Sequence, residues 1–223
     1  MGPPNPTSPP RRTIHHGDGV AWVQEREWGP NEAIVTSLPD FSELRFSFEA
    51  WRSWFVETSR LLCASVHPSS LVVFYQTDIK HDGCWVDKGY LVSRGAELAS
   101  AQTLFHKIVC RAPAGVVTFG RPAYAHLSAF SRDLRFTKGQ STADVLPKMG
   151  DMTWPRAMGL EACEAVARFL VAFTQTTTVV DPFCGVGTML AVANEFGLDA
   201  LGAELSKKRA EKARELQVNL SSR

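Results

Sequence analysis

The sequence predicts a parallel, doubly wound α/β sheet. Three observations point there. Short apolar runs recur through the chain and are unbroken rather than alternating, the pattern of strands covered on both faces. Segments of helical length and 3.6-residue spacing separate most of them. The run Thr178-Val179-Val180 ends in an acidic residue, and the two glycines that follow turn the chain into another helical stretch.

The elements follow in order. Residues 1–12 hold five prolines and no apolar periodicity, which predicts a disordered tail. A short strand at 13–16 enters the turn Gly17-Asp18-Gly19, followed by a short helix at 20–27. A buried strand at 31–36 is stopped by Ser37-Leu38-Pro39-Asp40. A helix at 48–63 carries Trp51, Trp54, Phe55, Leu61 and Leu62 at helical spacing, and 71–76 is a second buried strand. Then come a hydrated loop at 77–87, a helix at 88–99, two strands at 103–111 and 123–131, and a polar, irregular stretch at 132–152. A helix at 159–173, the strand at 178–181, a helix at 186–196, a strand at 200–204 and a charged helix at 206–216 finish one domain spanning 13–217. Residues 218–223 are read as a second tail.

Composition narrows the class. With 223 residues, 44% of them hydrophobic, the chain can bury one sizeable core. A net charge of +1 gives no bulk basic field, so a polyanion would need a local patch. No apolar run reaches the ~18–20 residues of a membrane span, and the start lacks a signal-peptide layout, so an intracellular, cytoplasmic protein without a membrane partner is expected. The five cysteines are scattered without a CxxC pair, indicating neither a disulfide framework nor a zinc site; no metal is expected.

The most informative segment is Asp181-Pro182-Phe183-Cys184-Gly185-Val186-Gly187-Thr188. Glycine suits a turn where a ligand must approach bare backbone. The spacing is neither G-x-G-x-x-G nor a P-loop. Glu204 follows 23 positions after Asp181, at the end of the next strand, where a carboxylate suits the two hydroxyls of a ribose.

These residues resemble the cofactor motif of S-adenosylmethionine-dependent amino-methyltransferases that act on nucleic acids. In that family a second motif, Asp/Asn/Ser followed by two prolines and an aromatic, ends another strand. Ser37-Leu38-Pro39-Asp40 stands in the corresponding place. Asp18 resembles the turn bordering the adenine, and Thr153 and Trp154 resemble the segment closing over the methionine end. The catalytic strand comes first and the glycine turn last, which matches the circularly permuted subgroup containing N4-cytosine and some N6-adenine enzymes. The resemblance covers nearly the whole chain and implies a Rossmann-like fold of permuted topology, with S-adenosylmethionine as cofactor.

An exocyclic amino nitrogen is a poor nucleophile because its lone pair is delocalised into the ring. Acceptors for its two N–H groups act more strongly on the transition state than on the ground state. The resemblance assigns these roles to the Ser37 hydroxyl and the Leu38 carbonyl, with Pro39 stiffening the turn. Asp40 replaces the aromatic that stacks on the target base. Either Phe41 supplies the stacking surface, or Asp40 is a further acceptor for a different target. Weaker candidates for contacts to phosphate and base are Lys80, Trp85 and Lys88 on the loop after the second buried strand. The loop between the two late strands adds Arg111, Phe119, Arg121 and Tyr124, a cationic and aromatic mix suited to a nucleotide. His106 and His126 read as satisfied core residues, and Lys207-Lys208-Arg209 as a solvated face.

The expected activity is methylation of an exocyclic amino group of a nucleobase. Only about twenty residues, 132–152, stand where DNA-acting members carry a recognition insert, which favours RNA over DNA as the partner. A protein amide, a small metabolite and a catalytically silent cofactor-binding role remain alternatives.

Overall fold

In a computed structural model that describes residues 9–220, the chain forms an eight-stranded mixed sheet flanked by helices. The strands are β1 (Arg12–His16), β2 (Glu32–Thr36), β3 (Val72–Gln76), β4 (Ile79–His81), β5 (Cys84–Val86), β6 (Gln102–Cys110), β7 (Tyr124–Ser131), β8 (Val145–Leu146), β9 (Thr178–Asp181) and β10 (Asp199–Glu204). The α-helices are α1 (Gly19–Glu25), α2 (Phe48–Ser65), α3 (Lys88–Leu98), α4 (Leu160–Phe173), α5 (Thr188–Glu195) and α6 (Lys207–Glu215). The large sheet runs β1-β10-β9-β2-β3-β7-β6-β8. Every neighbouring pair is parallel except β3/β7 and β7/β6. This is the predicted doubly wound, mostly parallel architecture, with the glycine-turn strand β9 lodged beside β2, which precedes it by more than a hundred residues.

The strand cores explain their unbroken apolar sequences. β3 is buried at all five positions, and Ala33, Ile34 and Val35 of β2 are 0% exposed. One core lies on the face covered by α4, α5 and α6, with Val35, Val73, Val179, Leu170 and Leu190. The other lies under α1, α2 and α3, with Ile34, Phe74, Trp51, Phe55 and Leu62. Alternate residues of one strand therefore feed opposite cores; Gln76, at the end of β3, is the exception in polarity, fully buried with a side-chain amide that has no partner among the described residues.

Several boundaries differ from the sequence reading. The 77–87 loop contains the small hairpin β4/β5, closed by Asp82 and Gly83 with positive φ (46° and 78°). Three-residue strands of mixed polarity leave too little alternation to be read. The irregular 132–152 stretch includes β8, whose two residues pair with Ile108 and Val109. The tail expectation fails at its end. Arg12 opens β1, paired with Ala200, and the Arg11 N–H donates to Asp199 at 2.7 Å. The Arg12 guanidinium donates to the Asn194 side chain and to the carbonyls of Ala213 and Leu216, at 2.9, 3.1 and 2.6 Å. Composition obscured this because the proline-rich segment runs straight into the edge strand. Residues 1–8 lie outside the described residues. At the other end, Val218 is buried and Leu220 packs on the first core, so the domain extends past residue 217.

Arg12 thus satisfies carbonyls at the end of α6, where a helix leaves acceptors unpaired. Arg12→Ala is expected to lower stability by about 2–3 kcal/mol, or roughly 5–10 °C in Tm, measured by thermal unfolding.

Candidate functional site

The parallel strands β10, β9, β2 and β3 end on one edge, where ligands of open α/β sheets bind. A cavity of about 240 Å³ opens there, just below the ~300–1,000 Å³ of small-molecule sites. Its walls include Asp18, Pro182, Phe183, Cys184, Gly185, Thr188 and Glu204, with Ser37, Leu38 and Pro39 at one end.

The glycine turn follows from local geometry. Gly185 and Gly187 have φ of +56° and +83°, in the left-handed region that favours glycine. Their roles differ. A Cβ on Gly185 would meet the Trp154 ring at 3.0 Å, beside the cavity, whereas one on Gly187 would press on Ala213 of α6. Gly187 therefore allows two helices to pack and does not line the cavity. Gly19 was not singled out by sequence, yet a Cβ there would lie 2.1 Å from the Pro182 carbonyl oxygen. The G-D-G turn and the D-P-F turn are in contact only because that side chain is missing. Asp18 caps α1 by accepting the Ala21 N–H at 2.9 Å.

Asp181 is the buried centre of the edge. The Thr36 hydroxyl donates to its Oδ1 at 2.6 Å and the Phe183 N–H to the same oxygen at 3.1 Å. Burial, with a small addition from nearby Glu204, pushes its pKa from 3.8 up to about 7. Glu204 is held differently. The Ser206 N–H and two N–H groups of Arg209 all donate to its Oε1, at 2.6, 2.9 and 2.8 Å, leaving Oε2 without a described donor. Arg209 also lies 5.7 Å from the centre of the Trp154 ring. The expectation of a solvated 207–209 run is corrected at this residue. A strand-end acid and a cation five residues later, one helical turn into α6, was the available signal. Thr153 does not line the cavity; its hydroxyl meets that of Thr188 at 2.5 Å and so ties the 153–158 segment to the start of α5.

A second, smaller cavity of about 50 Å³ adjoins the first. Ser37, Leu38, Glu43, Arg156 and Ala157 line both. The Trp51 indole donates to the Pro39 carbonyl at 3.2 Å and pins this strand end to α2. The structure brings Arg121 here and leaves Lys80 and Trp85 outside. Lys80 stands 4.7 Å from the Trp85 ring centre across the β4/β5 hairpin and 5.2 Å from that of Phe119, which is 96% exposed.

Neither sequence reading of the 40–41 pair describes what is seen. Phe41 packs edge-on against Phe48, Trp51 and His81 and lines neither cavity. Asp40 is buried, with one carboxylate oxygen on the Lys88 ammonium and the other 2.6 Å from Arg121. Burial alone would push Asp40 up, but Lys88 and then Arg121 outweigh it and hold the carboxyl below its usual range. Lys88 was a candidate for phosphate contact; it is instead 2% exposed and held by Asp40, with burial drawing its pKa down. Next to it, Asp78 accepts the Lys88 backbone N–H at 2.8 Å and faces His126 at 3.1 Å, and His126 meets His106 at 2.9 Å. Both histidines have partners, but only His126 is the buried residue the sequence suggested; His106 is exposed.

The fold has solved counterparts. A Thermus thermophilus protein assigned as a DNA modification methylase, complexed with S-adenosyl-L-methionine, matches with a TM-score of 0.70 and 18% identity over 92% of this chain and 93% of its own. The cytosine-N4-specific PvuII DNA methyltransferase matches at 0.75 and 13% identity, over 97% and 92%. The M1.HpyAVI–SAM complex matches at 0.62 and 16%, over 92% and 98%. No family model matches the sequence, and no curated protein matches it significantly. The likeness is one of fold: this chain has the Rossmann-like, circularly permuted methyltransferase architecture.

The buried charges make two outcomes measurable. Between its ordinary value of 3.8 and about 7, folded Asp181 holds a proton that the unfolded chain has lost, so stability falls as pH rises through that window. Asp181→Asn keeps an acceptor for Thr36 and Phe183 and should abolish this fall, raising Tm above that of the parent at pH 8; Tm measured from pH 5 to 8 checks it. Asp40→Ala strands the Lys88 ammonium and should cost about 3–5 kcal/mol, while Asp40→Asn with Lys88→Met should recover most of the loss, as read from urea midpoints.

Proposed function

We propose that the chain binds S-adenosylmethionine in the larger cavity and transfers its methyl group to an exocyclic amino group of a nucleobase. The observation that carries this reading is that Ser37 and Leu38, at the end of β2, line both cavities, so one strand end faces cofactor and acceptor together. The donor set suits a cationic amino acid joined to a nucleoside. Asp181 and Glu204 supply carboxylates, with Oε2 of Glu204 left for a ribose hydroxyl, and Phe183 and Leu205 offer apolar surface to a ring. When bound, the cofactor supplies an electrophilic methyl group on a sulfonium sulfur.

The chain's own part is to hold the amine in line. The Ser37 hydroxyl and the Leu38 carbonyl would accept hydrogen bonds from the two amine hydrogens and draw the nitrogen towards tetrahedral geometry as it attacks, and the surplus proton of the methylated amine would leave to solvent. Pro39 and the Trp51 bond to its carbonyl keep that edge rigid. Asp181 ionises to face a cation, so cofactor affinity should weaken as pH falls below about 7. The short 132–152 stretch no longer favours RNA: the chain spans 92% of the PvuII DNA methyltransferase, so enzymes named for DNA are built at this length. DNA is the acceptor this reading favours, with the base flipped or already unpaired, at a cost of a few kcal/mol when flipped. No helix among the described residues is long and apolar enough to cross a membrane.

Calorimetry should show binding of S-adenosylmethionine, and label from its methyl group should pass to DNA in preference to RNA and protein extracts. Ser37→Ala should lower turnover roughly tenfold or more, about 1.4 kcal/mol of barrier, with little change in cofactor affinity. Binding without transfer to any acceptor would make the chain a silent cofactor-binding partner; no binding at all would remove the reading.

A further inference from the structure

The smaller cavity has a composition that the transfer of a methyl group to a neutral base does not require. It is lined by Lys88, Arg111, Arg121 and Arg156 against Asp40 and Glu43. The anions are already spoken for: Asp40 by Lys88 and Arg121, and Glu43 by Arg156 at 2.7 Å. Pairing each carboxylate with one cation leaves two guanidinium charges in excess. Arg111 is half-buried, and its guanidinium has no ion pair or hydrogen bond among the described residues. Arg111 and Arg121 stand at the two ends of the loop between β6 and β7, which is closed by the Arg111 N–H to the Ala123 carbonyl at 2.7 Å. That bond fixes the loop base and keeps both cations at the mouth of one cavity.

The neutral groups point the same way. Burial pushes the Tyr75 phenol up to about 12, so it remains an O–H donor, and its one hydrogen bond among the described residues is a long one of 3.8 Å to the sulfur of Met149. Thr77, 8% exposed, offers a hydroxyl with no described partner. At about 50 Å³ the cavity has room for several waters at ~10–15 Å³ each, enough for a tetrahedral anion, and it adjoins the larger cavity along Ser37 and Leu38. We propose that this cavity is a phosphate subsite, in which Arg111 and Arg121, helped by Tyr75 and Thr77, seat a phosphate of the molecule whose amine reaches Ser37 and Leu38. The inference rests on Ser37 and Leu38 as the acceptor edge and adds that the acceptor is recognised as a nucleotide, through its charge as well as its base. Asp40, in the place of a stacking aromatic, holds Arg121 at that position.

The test is calorimetric titration of the full chain, loaded with S-adenosylhomocysteine, with cytidine and adenosine, with their 3′- and 5′-monophosphates, and with a dinucleotide. The monophosphates or the dinucleotide should bind at least fivefold more tightly than the nucleosides, with an advantage that shrinks as salt is raised. A preference for the dinucleotide would assign the phosphate to a polynucleotide backbone, and a preference for a monophosphate to a free nucleotide. Arg111→Gln with Arg121→Gln should erase this advantage, bringing nucleotide and nucleoside to within about twofold of each other, while leaving S-adenosylhomocysteine affinity unchanged, and Arg111→Lys should retain part of it. Equal binding of nucleoside and nucleotide, or an unchanged advantage in the double variant, would overturn the subsite. Loss of cofactor binding in the parent would instead count against the methyl-transfer reading, so the two failures are separable.

Discussion

The hydrogen bond from Thr36 to Asp181 joins the two halves on which the site is built. Thr36 ends the strand that carries Ser37 and Leu38, and Asp181 ends the strand that opens the glycine turn. The residues are 145 positions apart in the chain and 2.6 Å apart in space. Parallel pairing of Ile34 with Val180 sets the register, so the Ser37-Leu38 edge and the glycine turn begin at the same height. A slip of one residue would reverse every side chain on β2 and turn Thr36 away from its partner. The apolar strands beneath fix the register, and this one polar contact carries it to the strand ends.

Around that joint the charged groups stand in fixed pairs. Glu204 is taken by Arg209, Glu43 by Arg156, and Asp40 by Lys88 and Arg121. Of these, only Lys88–Asp40 is buried on both sides, and such a pair resists the loss of either member far more than it favours folding; the three guanidiniums are partly exposed, where an ion pair adds little stability. These contacts therefore specify position more than stability: they set the rim of two adjoining cavities. The 153–158 segment is fastened to this rim twice, through Thr153 on Thr188 and Arg156 on Glu43.

Much of this was legible in the sequence because the signals were local. Unbroken apolar runs identify strands covered on both faces, and the D-P-F-C-G-V-G-T turn carries its conformational demands in its glycines. The acid of the next strand was visible by position alone. What was not legible depends on approach between distant segments. Nothing near Gly19 announces Pro182, nothing near Lys88 announces Asp40, and nothing in the proline-rich start announces that Arg12 reaches the end of α6. Phe41 misled for the same reason. Its neighbours Phe48 and Trp51 draw it into the second core, a fact that only the path of α2 reveals.

The strand order carries a consequence for how the molecule assembles. β1 and β2 are made early, yet β9 and β10 from the last quarter of the chain lie between them. Until those two strands arrive, β1 has no partner in the sheet and β2 can pair only with β3. The closing contacts are of long sequence separation, so loop-closure entropy falls on the final step and folding should be slow relative to a chain with local pairing. A growing chain would expose the edges of β1 and β2, with Ala33, Ile34 and Val35 uncovered, until β9 and β10 have been made. The arrangement that seats the glycine turn of β9 against the end of β2 therefore leaves the edges of both early strands open to aggregation until the two late strands have been made.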